Sequence, residues 1–204
     1  DWLRSAGPEA DVAISTRVRL ARNIDGFPFR SHLAQNRAED LVELLRREVL
    51  ALEQRSFRYI DLKDLSTVGR RVLVERRLIS QDHAAGDGDN RGLAVGDGDA
   101  CLMVNEEDHL RLQILRSGFC ADAAYEAIEA LDTTLATRLA IAFSPTYGYL
   151  TACPTNTGTG LRVSVMLHLP ALVLTHKIAR WLEALHRKGV VVRGYMGEGT
   201  RALG

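Results

Sequence analysis

The chain has 204 residues, 46% of them hydrophobic, enough to bury a sizeable core as one large domain or as one domain with a small appendage, and disorder is not the expected state. Its formal net charge is zero and its pI is about 7.2, so no overall field favours nucleic acid or an anionic membrane, and anion binding must come from local sites. Cys101, Cys120 and Cys153 form no CxxC pair, no run approaches roughly 18 uncharged apolar residues, and DWLRSAGPEAD carries no apolar signal core; a disulfide framework, a structural zinc site and a membrane span are all disfavoured, and a cytoplasmic location is expected.

VAISTRVRLARN alternates apolar with polar or basic residues and predicts a half-buried strand whose outward face carries Thr16, or Arg17 and Arg19. From Arg37 to Arg55, apolar residues recur at spacings of three and four, the pattern of an amphipathic helix. RRVLVERRLIS fits strand or helix equally well. AAGDGDNRGLAVGDGDA reads as a hairpin or a solvent-facing loop, and Arg91 at the fifth position of DGDNRG argues against a calcium loop.

CLMVNEEDHLRLQILRSGF predicts a buried strand that runs on through its acidic cluster, because HLRLQIL alternates again. ADAAYEAIEALDTTLATRLA, from Ala121, is helical by composition and spacing. Tyr147 to Ala152 predicts a strand, CPTNTGTG a loop, LRVSVMLHLP a strand and THKIARWLEALHRKG a helix closed by Gly189. VVVRGYMGEGTRALG completes the chain as a strand with a glycine-rich end. No internal repeat and no regular βαβ alternation are present, so the expected class is α+β with a largely antiparallel sheet flanked by helices.

Glu106, Glu107, Asp108 and His109 follow an apolar run with only Asn105 between. Adjacent carboxylates repel one another and resist burial, so they either face water or serve chemistry. Cations are almost all arginine, with only Lys63, Lys177 and Lys188 as lysines. Codon bias explains this as readily as a need for bidentate anion contacts. Arg17, Arg19, Arg111, Arg162 and Arg193 all fall at predicted strand ends beside polar loops, where guanidinium forks are suited to phosphate oxygens. GxxxxGK[ST], HRDxxxxN and DFG are absent, which removes P-loop and protein-kinase chemistry. His83, His168, His176 and His186 lack metal-ligand spacing, and no protein metal ligands are expected.

STRVRLARN, VNEEDHLR, CPTNTGTGLR and VVRGYMGEG resemble the signature segments of the phosphagen (guanidino) kinases. LISQ, YLTACPTNTGTGLR and SVMLHLPALVLT resemble most closely the bacterial branch, which phosphorylates arginines in proteins and marks them for Clp proteolysis. The resemblance runs from about Asp11 to the end and implies one catalytic domain over residues 1–204, transferring the γ-phosphoryl of ATP to a guanidinium nitrogen. By motif position it implies that Arg17, Arg19, Arg111, Arg162 and Arg193 hold the phosphates, that Glu107 is the catalytic base, and that Cys153 lies against the guanidinium. Glu198 would be a second carboxylate on a mobile loop. Cys153, set before Pro154 in a polar loop near several cations, is in surroundings that favour thiolate, whereas a buried small hydrophobe is the commoner fate of a free cysteine.

The implied cofactors are ATP and Mg2+, the metal carried by the nucleotide. The implied partners are proteins bearing exposed arginine and the Clp machinery, with homodimerisation open and neither nucleic acid nor membrane expected. The chain departs from the small-molecule members in starting almost at STRVR, without room for their helical N-terminal domain. Adenine-side histidines have no match in RGLAVGDGDACL, and one falls on Met166. The chain ends at Gly204, just past the expected mobile loop, so an incomplete C-terminus and an exposed sheet edge are expected. Two other readings follow from these departures: a kinase for free arginine or another small guanidino compound, and an impaired nucleotide- or arginine-binding module.

Overall fold

A computed structural model describes residue 2 and residues 6–53, 55–86 and 90–194. Its centre is a six-stranded, wholly antiparallel sheet in the order β2-β3-β4-β5-β1-β8. The strands are β1 (Ala13–Arg22), β2 (Phe57–Asp61), β3 (Gly92–Gly96), β4 (Ala100–Val104), β5 (Leu110–Ser117) and β8 (Leu161–Leu167); β6 (Phe143–Ser144) and β7 (Gly148–Tyr149) form a separate ribbon. The helices are α1 (Gln35–Leu50), α2 (Thr67–Glu75), α3 (Gln81–Ala85), α4 (Ala121–Ala136), α5 (Pro170–Leu174) and α6 (Ile178–Arg187).

Alternation divides the sheet into two faces with different tasks. Val18 and Leu20 of β1, Leu102 and Val104 of β4, and Leu110, Leu112 and Ile114 of β5 point to one face, where α1 and α4 cover them. Leu41, Leu45 and Val49 of α1 and Ile128, Leu131 and Leu135 of α4 recur every three or four residues and interlock with that face as the main core. On the opposite face, Leu62, Ile79, Leu93, Cys101 and Met103 form a smaller cluster under Leu73 and Val74 of α2. This second cover reaches only the β2–β4 side. Over β5, β1 and β8 the same face carries polar and basic side chains and stays open.

The ambiguous RRVLVERRLIS is α2 followed by a turn at Arg77, whose φ is 59°. AGDGDNRGLAVGDGDA supplies the β3–β4 hairpin, turned at Gly98 with φ 101°, and Asp99 braces the turn by pairing with Arg55 and Arg116. The strand expected to continue through the acidic cluster instead stops at Val104. Asn105 takes φ 58°, its N–H bonds the His109 carbonyl at 2.8 Å, and β5 begins at Leu110, so the cluster is the tip of a hairpin. Only Gly148–Tyr149 of the expected YGYLTA strand is extended in a ladder, paired with Phe143–Ser144. Residues 191–193 form no strand, and the rest of the GYMGEG segment lies outside the described residues. No described helix is long and apolar enough to cross a membrane.

Candidate active site

Cross-strand register builds a basic surface on the open face. Arg19 in β1 stands opposite Gln113 of β5 on one side and Arg162 of β8 on the other, while Arg17 faces Ser164 and Ala21 faces Arg111. Thr16 points to the helix side instead, fully buried, with its hydroxyl donating to the Gly118 carbonyl at 2.7 Å. Burial, together with the neighbouring guanidinium groups of Arg77 and Arg162, lowers Arg17 to about 10. Burial, then Arg17 and Arg162, lowers Arg19 to about 9. Among the described residues the buried Arg19 Nε has no hydrogen-bond partner. Like charges packed together and partly desolvated are stabilised by a multiply charged anion bound among them.

The acidic hairpin tip sorts its carboxylates by burial. Glu106 is buried, accepts from the Ser80 hydroxyl at 2.6 Å and from the Glu107 N–H at 2.9 Å, and pairs with Arg111 at 2.8 Å. Burial opposes its ionisation, but Arg111 and these bonds outweigh it and hold the carboxyl below its ordinary value. Asp108 is fully buried; its Oδ1 accepts from Asn23 Nδ2 at 2.7 Å and from the Ala152 N–H at 2.8 Å. His109 accepts from the Ile24 N–H through Nδ1 at 3.0 Å and donates through Nε2 to the Pro28 carbonyl at 2.9 Å, which defines a neutral ring. Its pKa is lowered, chiefly by burial. Glu107 alone in the run is exposed, touched by Arg111 Nη2 at 3.2 Å. Arg111 is therefore the counter-charge of the acidic tip as well as a neighbour of the basic surface.

Cys153 heads a 3-10 turn at Pro154–Asn156. Its Sγ lies 2.9 Å from the Thr155 hydroxyl, and the Thr151 hydroxyl donates to its carbonyl at 2.8 Å. The far end of this loop is anchored at Gly160, whose φ of 63° and close approach to Ala21 leave no room for a side chain. Arg22 secures the same corner. It grips Asp132 of α4 with a 2.7 Å contact, donates to the carbonyls of Ala21 and Thr159, and stacks on Tyr149 at 3.6 Å.

A cavity of about 840 Å³ joins these parts; Arg17, Arg19, Arg111 and Arg162 line it together with Glu107 and Cys153. Arg193 does not line it and is exposed, although its pKa is lowered by burial and by Arg162. Glu198 lies outside the described residues. The sequence reading missed three further lining arginines, Arg30, Arg77 and Arg91. None belongs to a periodic pattern; each enters the cavity from a turn or a strand entry whose position is set by tertiary packing. Among the described residues no group of three or more His, Cys, Asp or Glu side chains is placed to hold a metal ion.

A basic floor, an exposed carboxylate held beside an arginine, and a cysteine loop tied to the same acidic tip thus share one cavity. The chain belongs to the ATP:guanido phosphotransferase family, whose C-terminal catalytic domain matches residues 40–204. It is 43% identical over its whole length to a protein-arginine kinase of Halothermothrix orenii and 45% identical to one of Moorella thermoacetica, and spans 58% and 59% of those proteins. Among solved structures, a duplicated taurocyamine kinase from Schistosoma mansoni with bound transition-state analogue components superposes with a TM-score of 0.83 at 26% identity, covering 97% of this chain and 29% of that one. Lombricine kinase superposes with a TM-score of 0.80 at 24% identity, over 99% of this chain and 60% of that one, and shows the fold alone.

Proposed function

We propose that residues 1–204 act as a catalytic domain that transfers the γ-phosphoryl of ATP to the guanidinium of arginine residues in proteins. The observation that carries this reading is that Glu107, Cys153 and the basic floor open into one cavity. The buried, unpartnered Arg19 Nε and the lowered pKa values of Arg17 and Arg19 fit a polyphosphate, and the whole-length likeness to protein-arginine kinases supports the choice of acceptor.

In this mechanism Arg17, Arg19, Arg111 and Arg162 hold the phosphate oxygens and Arg193 approaches from the rim; Mg2+, carried by the nucleotide and not by protein ligands, would supply further neutralising charge on the phosphates when bound. Glu107 grips one edge of the substrate guanidinium and Cys153 faces another, aiming one nitrogen at the γ-phosphorus. A guanidinium holds its proton too tightly to be deprotonated in the ground state. Glu107 therefore takes the proton as the N–P bond forms and the bond from the γ-phosphorus to its bridging oxygen breaks, when the nitrogen becomes acidic. Glu198 completes the grip as the second carboxylate. The three free thiols accord with a cytoplasmic setting, and delivery of phosphorylated proteins to Clp proteolysis and self-association into a dimer complete the proposal.

Incubation with γ-labelled ATP, Mg2+ and either an arginine-rich unfolded protein or free arginine tests it. Acid-labile label on protein is expected. Label on free arginine alone would shift the substrate to a small guanidino compound, and no label in a folded, ATP-binding sample would make the chain a binding module.

A further inference from the structure

Arg30 is not used by the mechanism above, yet it lines the same cavity, beside Ser31. It opens a 3-10 turn, Arg30–His32, that begins two residues after Pro28. The Pro28 carbonyl accepts the His109 Nε2–H bond at 2.9 Å, so the turn is fastened to the base of the acidic tip. Ser80, which also lines the cavity, accepts the His83 N–H at 3.0 Å and donates to Glu106 at 2.6 Å, so this wall too is tied to the acidic tip. Arg30 thus belongs to the end of the cavity where the guanidinium would enter, not to the phosphate floor.

Among the described residues its guanidinium makes no ion pair, and its buried Nε has no hydrogen-bond partner. Of the acids at the tip, Glu106 is engaged by Arg111 and Ser80, Glu107 by Arg111, and Asp108 by Asn23 and the Ala152 N–H; Glu75 and Asp82 also line the cavity, and among the described residues neither pairs with Arg30. A cation next to the entry path of another cation repels it, unless the incoming molecule carries an anion of its own.

Resting on the proposed function, we propose that Arg30 is a specificity residue that binds a carboxylate carried by the substrate beside the arginine being phosphorylated. Two sources share that chemistry: an aspartate or glutamate side chain adjacent in a polypeptide, or the α-carboxylate of arginine itself. Either would satisfy the buried Nε and turn a repulsive wall into a clamp that orients the substrate toward Glu107.

Binding of fluorescent hexapeptides Ala-Ala-Arg-X-Ala-Ala, with X as Glu or Gln, is measured by anisotropy, beside competition by free arginine and by argininamide. The wild-type chain is expected to prefer the carboxylate-bearing member of at least one pair by about five- to tenfold. Arg30→Gln is expected to erase that preference while Arg30→Lys keeps part of it, with ATP affinity changed less than about twofold in both. The pair that loses its preference identifies the source. Equal binding within both pairs by a wild-type chain that phosphorylates arginine overturns the role of Arg30, as does a loss of ATP affinity in Arg30→Gln. A folded wild-type chain that binds ATP but no arginine compound overturns the functional reading itself, and this inference with it.

Discussion

Asp108 accepts a hydrogen bond from the N–H of Ala152 at 2.8 Å, and through that bond the loop bearing Glu107 and the loop bearing Cys153 are held as one body. The same Oδ1 takes the Asn23 amide at 2.7 Å, so β1, the acidic tip and the cysteine loop meet on a single buried oxygen. Replacement by alanine strands an amide and a backbone N–H, each costing about 1–3 kcal/mol. Asp108→Ala is expected to lower kcat on the order of a hundredfold, with ATP affinity nearly intact, because a displacement near 1 Å at the reacting atoms has that effect. Asp108→Asn, which keeps an acceptor oxygen, should retain more activity. Equal kcat in all three proteins would show that the two loops are positioned independently.

Glu107 is the carboxylate left over once Arg111, Ser80 and Asn23 have engaged its neighbours. Glu107→Gln keeps the shape and removes the proton acceptor, so phosphoryl transfer should fall by about 10²- to 10⁴-fold while ATP binds within about threefold of the wild type. Calorimetric titration beside single-turnover assays separates the two. Lost ATP affinity would reassign Glu107 to the nucleotide side.

Arg19 is charged at a cost to the empty protein. Its folded-state pKa, about 9, lies below the usual guanidinium value, so the destabilisation is fully present below about pH 9 and is relieved as pH rises beyond it. Arg19→Met should leave the melting temperature of the ligand-free protein within about 2 °C of wild type or raise it, and should abolish the stabilisation conferred by ATP. A large drop in ligand-free Tm would mean that packing of the arginine stem outweighs the electrostatic penalty.

His83 is fully buried, donates through Nε2 to the Gly92 carbonyl at 3.0 Å, and has its pKa lowered to about 4, mainly by burial. The unfolded chain takes up a proton near pH 6.5 that the folded chain refuses until about 4. Stability is therefore present above pH 6.5 and lost as pH falls toward 4, on the order of 2–3 kcal/mol. His109 shifts in the same direction, and Glu106, held below its ordinary value, extends the loss at still lower pH. Urea midpoints measured from pH 7 to 4.5 should fall steadily, with a shallower slope in His83→Gln; an unchanged slope would assign the loss to other groups.

Gly160→Ala tests the anchor of the cysteine loop. A methyl there would lie 2.6 Å from the Ala21 carbonyl oxygen, at a backbone angle that strains any side chain. A loss of about 1–3 kcal/mol in stability and a larger fall in kcat than in ATP affinity are expected, read from denaturation and steady-state kinetics. A wild-type kcat would show that this corner does not govern Cys153.

Several features were legible in the chain itself, because short-range rules govern them. Period two in STRVRLARN placed Arg17 and Arg19 on one face of a strand, and spacings of three and four placed Leu41, Leu45, Ile128 and Leu135 on the buried faces of α1 and α4. Gly-Asp clusters marked the β3–β4 turn, and the motifs themselves pointed to the family. What alternation could not resolve was where a strand stops. HLRLQIL continues the rhythm of CLMV, yet a left-handed Asn105 breaks it and converts the acidic run into a hairpin tip.

Only the tertiary structure separated residues of like chemistry. Among adjacent acids it buried Glu106 and Asp108 against long-range partners and left Glu107 exposed. Of the cysteines it sealed Cys101 in the second cluster, where burial pushes the thiol up to about 12, and set Cys153 on the cavity wall. It also brought in Arg30 and Arg77 from turns with no periodic signal. Sequence determines face and period through local backbone geometry; which carboxylate stays exposed, which thiol stays accessible and which guanidinium lacks a partner among the described residues depend on contacts between residues far apart in the chain, such as Arg22 with Asp132, 110 positions away.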